Sequence, residues 1–110
     1  MQLPIEVFGS VAVIHAPDEV GEDQASPLLG FCAGQPQPQI VLDIDAVEML
    51  DSAGLTMLLH AQETLRSRSG DLKIATTNNV NRKILEITRL DQQLEVFDSV
   101  IDAVKSFRNE

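Results

Sequence analysis

The segment Asp51-Ser52-Ala53-Gly54 places a serine hydroxyl where chemistry could happen. It follows an apolar, β-branched run, Ile40 to Ile44, and a short loop, and it opens a leucine-rich helical pattern. Asp and Ser are both good N-cap residues, whose side-chain oxygens satisfy the orphan N–H groups of a first helical turn. On that reading the pair is structural. Gly54 asks for more, because a glycine in a first turn costs roughly 0.5–1 kcal/mol relative to alanine. Either this turn runs close to a neighbouring strand, or the surface beside Ser52 is kept bare for a partner.

A nucleophilic serine needs a base, and the sequence offers none in reach. The Gly-x-Ser-x-Gly elbow is absent. His60 lies further along the same helix, roughly 12 Å up the axis at 1.5 Å per residue. His15 falls at the end of a predicted hairpin and reads as a surface or partly buried histidine. Asp43 and Asp45 stand two apart, and Asp45 more simply ends a strand than pairs for acid–base work. Cys32 and the two histidines lack metal-ligand spacing, and no phosphate-binding glycine motif is present. The expectation is a protein with no catalytic residues, no metal and no cofactor.

Composition points the same way. The 110 residues suit one compact domain spanning 1–110. Four Phe and no Trp or Tyr leave no aromatic platform for stacking bases. A net charge of −9 gives no basic footprint for nucleic acid or anionic lipid. Ten acids and no Lys or Arg precede Arg66, which reads either as a solvated acidic surface or as a docking face for a basic partner. A single cysteine fits a reducing cytoplasm. The first residues lack the basic region of a signal peptide, and no apolar run approaches the ~20 residues of a membrane span.

These residues need elements to position them. Ile5 to Ala16 reads as a hairpin turning at Gly9-Ser10. Ser26-Pro27 predicts the cap and first position of a short helix through about Cys32, ended by Gly34. Ile40–Ile44 reads as a strand buried on both faces, and Leu72–Thr76 and Leu94–Phe97 as shorter strands. Leu55, Leu58, Leu59 and Leu65 form one helical stripe, stopped by Gly70. Val80, Ile84 and Ile87 mark a second helix, capped by Asn78 or Asn79. Val100, Ala103, Val104 and Phe107 mark a third, capped by Asp98. The strand–helix alternation predicts an α/β domain with a mostly parallel sheet and the hairpin at its edge.

Together these motifs resemble the STAS domain of anti-sigma-factor antagonists. The resemblance rests on Val41-Leu42-Asp43, on Leu50-Asp51-Ser52-Ala53-Gly54-Leu55, and on Gly70-Asp71-Leu72-Lys73-Ile74. It continues through Val80 to Leu90 and Leu94 to Ala103. Family members carry a glycine and an acid after the second strand; here Asp18 supplies the acid and Pro17 stands before it.

The resemblance implies a STAS-like (SpoIIAA-like) fold with about four helices. It implies an anti-sigma-factor antagonist that works by partner switching and is not an enzyme. Ser52 corresponds to the family's phosphoacceptor, with Asp18, Asp51, Ala53 and Gly54 on the same partner-binding surface. The implied partners are an anti-sigma serine kinase, bound while Ser52 is unphosphorylated, and a cognate phosphatase. ATP and Mg²⁺ would belong to the kinase. The chain itself would be cytoplasmic, monomeric when alone, and without nucleic-acid binding or membrane insertion. Related STAS proteins imply an alternative: a regulatory subunit docking on the ATPase of a membrane-lipid ABC transporter, or another non-sigma signalling module. On the switching reading, Ser52→Asp weakens partner binding while the far-ultraviolet circular dichroism stays native; loss of secondary structure would count against it.

Overall fold

A computed structural model describes residues 1–108. The chain runs β1 (Ile5–Phe8), β2 (Val11–His15), β3 (Glu19–Val20), α1 (Glu22–Ala33), β4 (Gln39–Asp43), β5 (Met49–Leu50) and α2 (Ser52–Arg66). It continues β6 (Asp71–Ala75), α3 (Asn79–Ile87), a 3-10 turn (Leu90–Gln92), β7 (Val96–Phe97) and α4 (Val100–Arg108). The main sheet has the order β1-β2-β4-β6-β7. β1 is antiparallel to β2 and the other pairs are parallel. The expected mixed, mostly parallel sheet with an N-terminal hairpin and four helices is what the chain adopts. Gly9 takes the positive φ that the hairpin turn requires.

Strand residues alternate between two cores. Ile14, Ile40, Leu42, Leu72 and Ile74 face α1, α2 and α3. Val11, Val13, Val41 and Ala75 face α4 through Ala103, Val104 and Phe107. Lys73 shares the α4 face and is fully buried. Its ammonium donates to Ser106 Oγ at 2.9 Å, lies 3.8 Å from a Glu95 carboxylate oxygen, and sits 4.2 Å from the centroid of the Phe107 ring. A buried ammonium is tolerable only with such partners, so α4 is fastened to the sheet by charge as well as by apolar contact.

Four local expectations change. α1 begins at Glu22, with Gly21 as N-cap, so Pro27 lies inside the helix and not at its start. α2 ends at Arg66, and the left-handed residue beyond it is Ser69. Gly70 is instead needed because a Cβ there would overlap the Pro38 carbonyl oxygen. The cap of α4 is Ser99, whose hydroxyl accepts from Asp102 N at 3.0 Å, while Asp98 pairs with Arg82. The fourth change concerns α3, correctly capped by Asn78. Its apolar stripe does not face the core: Val80 is 69% and Ile87 71% exposed. The buried positions are Leu85 and Asn81, whose amide donates to the carbonyls of Ile44 and Val47.

His15 ties β1 to β4. Nδ1 lies 2.8 Å from Asp43 and Nε2 2.7 Å from Glu6. Burial alone would lower the imidazole pKa, but the hydrogen bonds and charges of Glu6 and Asp43 outweigh it and hold His15 above its ordinary value. The cation's contribution is fully present below the unfolded value near 6.5 and is lost as pH rises through the higher folded value. His15→Gln is therefore expected to lower the urea midpoint more at about pH 5.5 than at about pH 8.5. Equal losses at both would contradict a charged His15 in the folded state.

Candidate functional site

The site is built where two helices start side by side. β3 and β5 form a two-residue parallel ladder, Glu19 to Met49 and Val20 to Leu50. The Asp18 carbonyl extends it by accepting from Glu48 N and Met49 N. One step beyond each strand a helix begins, α1 after Gly21 and α2 after Asp51.

Asp51 caps both. Oδ1 accepts from Gly54 N at 3.0 Å, closing the first turn of α2. Oδ2 accepts from Glu22 N at 3.2 Å, the first amide of α1. Gly21 has no side-chain oxygen, so α1 takes its cap from the neighbouring helix. Gly21 Cα lies against Met49 and Asp51 Oδ2, where a side chain would collide. Gly54 is buried, and a Cβ there would overlap the Val20 carbonyl oxygen. The glycine in the first turn is thus explained by close approach to a strand.

With capping done by Asp51, the Ser52 hydroxyl is spare. Ser52 is exposed and makes no side-chain hydrogen bond among the described residues. It opens onto a groove of about 530 Å³ between α1 and α2. Glu22, Ser26 and Leu29 line one wall, and Ser52, Thr56 and His60 the other. Glu22 lines the groove, the Asp51 carboxylate stands beside it at Glu22 N, and Asp18 and Glu48 meet at the end of the β3–β5 ladder, while no Lys or Arg is in the lining among the described residues. The surroundings are therefore anionic, while the first amides of α2 and its dipole offer local tolerance for a negative group on Ser52.

The predicted residues come together unequally. Ser52 and Ala53 line the groove, Asp51 and Gly54 are bonded to each other beside it in the first turn of α2, and Asp18 joins only the β3–β5 ladder through its backbone carbonyl. Glu22 and Gly21 belong to the site and were not read from the sequence. Their local signal, a Gly before the two first-turn acids Glu22 and Asp23, is weaker than the Ser26-Pro27 pair that follows it. Cys32 is buried, which pushes its thiol up to about 12, far from a reactive thiolate. Among the described residues no cluster of three or more His, Cys, Asp or Glu could hold a metal ion, and no helix is long and apolar enough to cross a membrane.

The sequence pattern of the STAS domain matches residues 22–103, from α1 into α4. The chain belongs to the STAS domain family. A Thermotoga maritima protein assigned as an anti-sigma factor antagonist is 24% identical over 70 residues, 64% of this STAS chain and 62% of that relative's length. The crystal structure of an anti-sigma factor antagonist from Mycobacterium paratuberculosis superposes with a TM-score of 0.83 at 25% identity, covering 97% of this chain and 93% of that one. The anti-sigma factor antagonist SpoIIAA in its unphosphorylated form superposes with a TM-score of 0.78 at 14% identity, covering 99% and 98%. The STAS chain thus has the SpoIIAA-like fold.

Gly54→Ala tests the packing of the site. Helix propensity favours alanine by about 1 kcal/mol, yet overlap with fixed backbone is expected to reverse this and destabilise the domain by about 1–3 kcal/mol in urea unfolding. A variant as stable as wild type would contradict the close approach to Val20.

Proposed function

We propose that this protein is an anti-sigma-factor antagonist that works by phosphorylation-controlled partner switching. Ser52 is the acceptor. With its hydroxyl free, the protein binds an anti-sigma serine kinase and displaces the sigma factor. The kinase then moves the γ-phosphoryl group of ATP to Ser52 Oγ, its own base taking the hydroxyl proton and ADP leaving. A phosphatase restores the hydroxyl by hydrolysis. Nucleotide and Mg²⁺ reside on the kinase, and this chain is the substrate and ligand, not a catalyst.

The observation that carries the reading is the division of labour at α2. Asp51 does the capping, so the exposed Ser52 hydroxyl is left without a structural partner. A serine needed only to start the helix would spend its oxygen on Gly54 N. The acidic surroundings add direction. A kinase surface suited to them carries cations, and its pocket for a neutral serine rejects a group bringing about −1.5 to −2 further charges. Asp18 and Ala53 complete the docking surface, Asp18 on the acidic side and Ala53 by lining the groove beside Ser52, while the buried Gly54 shapes it by seating the first turn of α2 against Val20. This reading places the protein in the cytoplasm with its kinase.

Mass spectrometry with site mapping on protein purified from its native host tests the assignment, with Ser52→Ala as control. A phosphate on Ser52, lost in the control, is the expected result. Its absence across growth and stress conditions would leave a constitutive binding subunit, with Ser52 reduced to a helix-start residue.

A further inference from the structure

One carboxylate lies between the Ser52 hydroxyl and the start of α1. The two oxygens of Asp51 hold amides of different helices. The bond to Gly54 N is local, 3.0 Å long and within one turn. The bond to Glu22 N is 3.2 Å long and joins residues 29 apart in sequence.

α1 is the dependent partner. Its N-cap is a glycine and it carries Pro27 internally, whereas its C-terminal end is held by the Arg68 guanidinium, which donates to the Ala33 carbonyl at 2.8 Å. Its first turn is held by Gln24 N and Ala25 N donating to the Gly21 carbonyl, by Gln24 Oε1 accepting from Gly21 N, and by Asp51. Glu22 also faces Ser52 across the groove between the helices.

We infer that phosphorylation of Ser52 is transmitted to α1 through Asp51, loosening its first turn. This rests on the reading of Ser52 as phosphoacceptor. A phosphate on Ser52 puts about −1.5 to −2 charges beside Asp51 and opposite Glu22. It also competes for the first amides of α2, the groups that stabilise an anion there. Asp51 keeps the bond inside its own turn, because that amide cannot move away. The longer bond to Glu22 gives way, and repulsion between the phosphate and Glu22 acts in the same direction. Phosphorylation then does more than block the groove: it shifts the wall that carries Glu22, Ala25 and Ser26.

The test installs phosphoserine at position 52 of the full chain during translation, so no kinase is needed. Amide hydrogen exchange by NMR is compared with wild type. Exchange at Glu22, Gln24 and Ala25 is expected to rise at least about fivefold, as for a lost helix cap, while β4 amides change less than about twofold. Unphosphorylated Asp51→Asn, whose amide keeps only one acceptor oxygen, is expected to show the same acceleration, with phosphoserine adding little on top. Ser52→Ala is expected to match wild type. Unchanged exchange in the first turn of α1 would overturn the inference, as would equal acceleration in β4, which means general loosening. Independent acceleration by Asp51→Asn and phosphoserine would also overturn it. A chain never phosphorylated in its host would defeat the proposed function alone, since the installed phosphate reads the coupling directly.

Discussion

Asp51 joins the N-termini of α1 and α2 with a single carboxylate, and the position of Ser52 follows from that bond pair. The β3–β5 ladder brings the two helix starts to the same depth. Gly54 lets the first turn of α2 lie against the Val20 backbone, and Gly21 leaves room for the Met49 side chain and the Asp51 carboxylate. A side chain at position 54 would overlap the Val20 carbonyl, and one at position 21 would crowd the capping carboxylate of Asp51. Because the carboxylate takes over a task that serine commonly performs, the hydroxyl next to it stays exposed without a capping bond. The groove, its acidic rim and the exposed serine are consequences of that arrangement.

The sheet provides the rigid base. Its two faces bury separate apolar clusters, with β4 in the middle carrying Ile40 and Leu42 to one side and Val41 to the other. Charge appears in the framework only where it is paired. Lys73 is buried beneath α4 with Ser106, Glu95 and the Phe107 ring around it. His15 links the edge strand to the central one through Glu6 and Asp43. Asp43 also accepts from Asp45 N, and Asp45 accepts from Thr77 N, so the bonded chain crosses the strand ends from β1 to the entry of α3.

Legibility in the sequence followed the locality of each signal. The run Ile40–Leu42 and the turn at Gly9 were readable because a buried parallel strand and a tight hairpin each leave a mark within a few residues. The Ser52 segment was readable for the same reason, and the choice between two meanings of Gly54 was settled by Val20, a contact no local pattern contains. The start of α1 was misread because its cap comes from Asp51 and not from a preceding side chain. The stripe Val80, Ile84 and Ile87 had the right period for a helix but pointed to the wrong face, since Asn81 and Leu85 anchor α3 instead. Periodicity identifies a helix, and only tertiary contacts decide which side is inward. Lys73 gave no warning at all, because a lysine in a strand ordinarily reads as solvent-facing.

The proposed switch is tested most directly by titration calorimetry on the full chain, comparing the affinity of the proposed anti-sigma kinase partner for the unphosphorylated protein and for protein carrying phosphoserine at position 52. Tight binding of the unphosphorylated form and a loss of at least about tenfold, 1.4 kcal/mol, in the phosphorylated form are expected. Equal affinity of the two forms would contradict the switch.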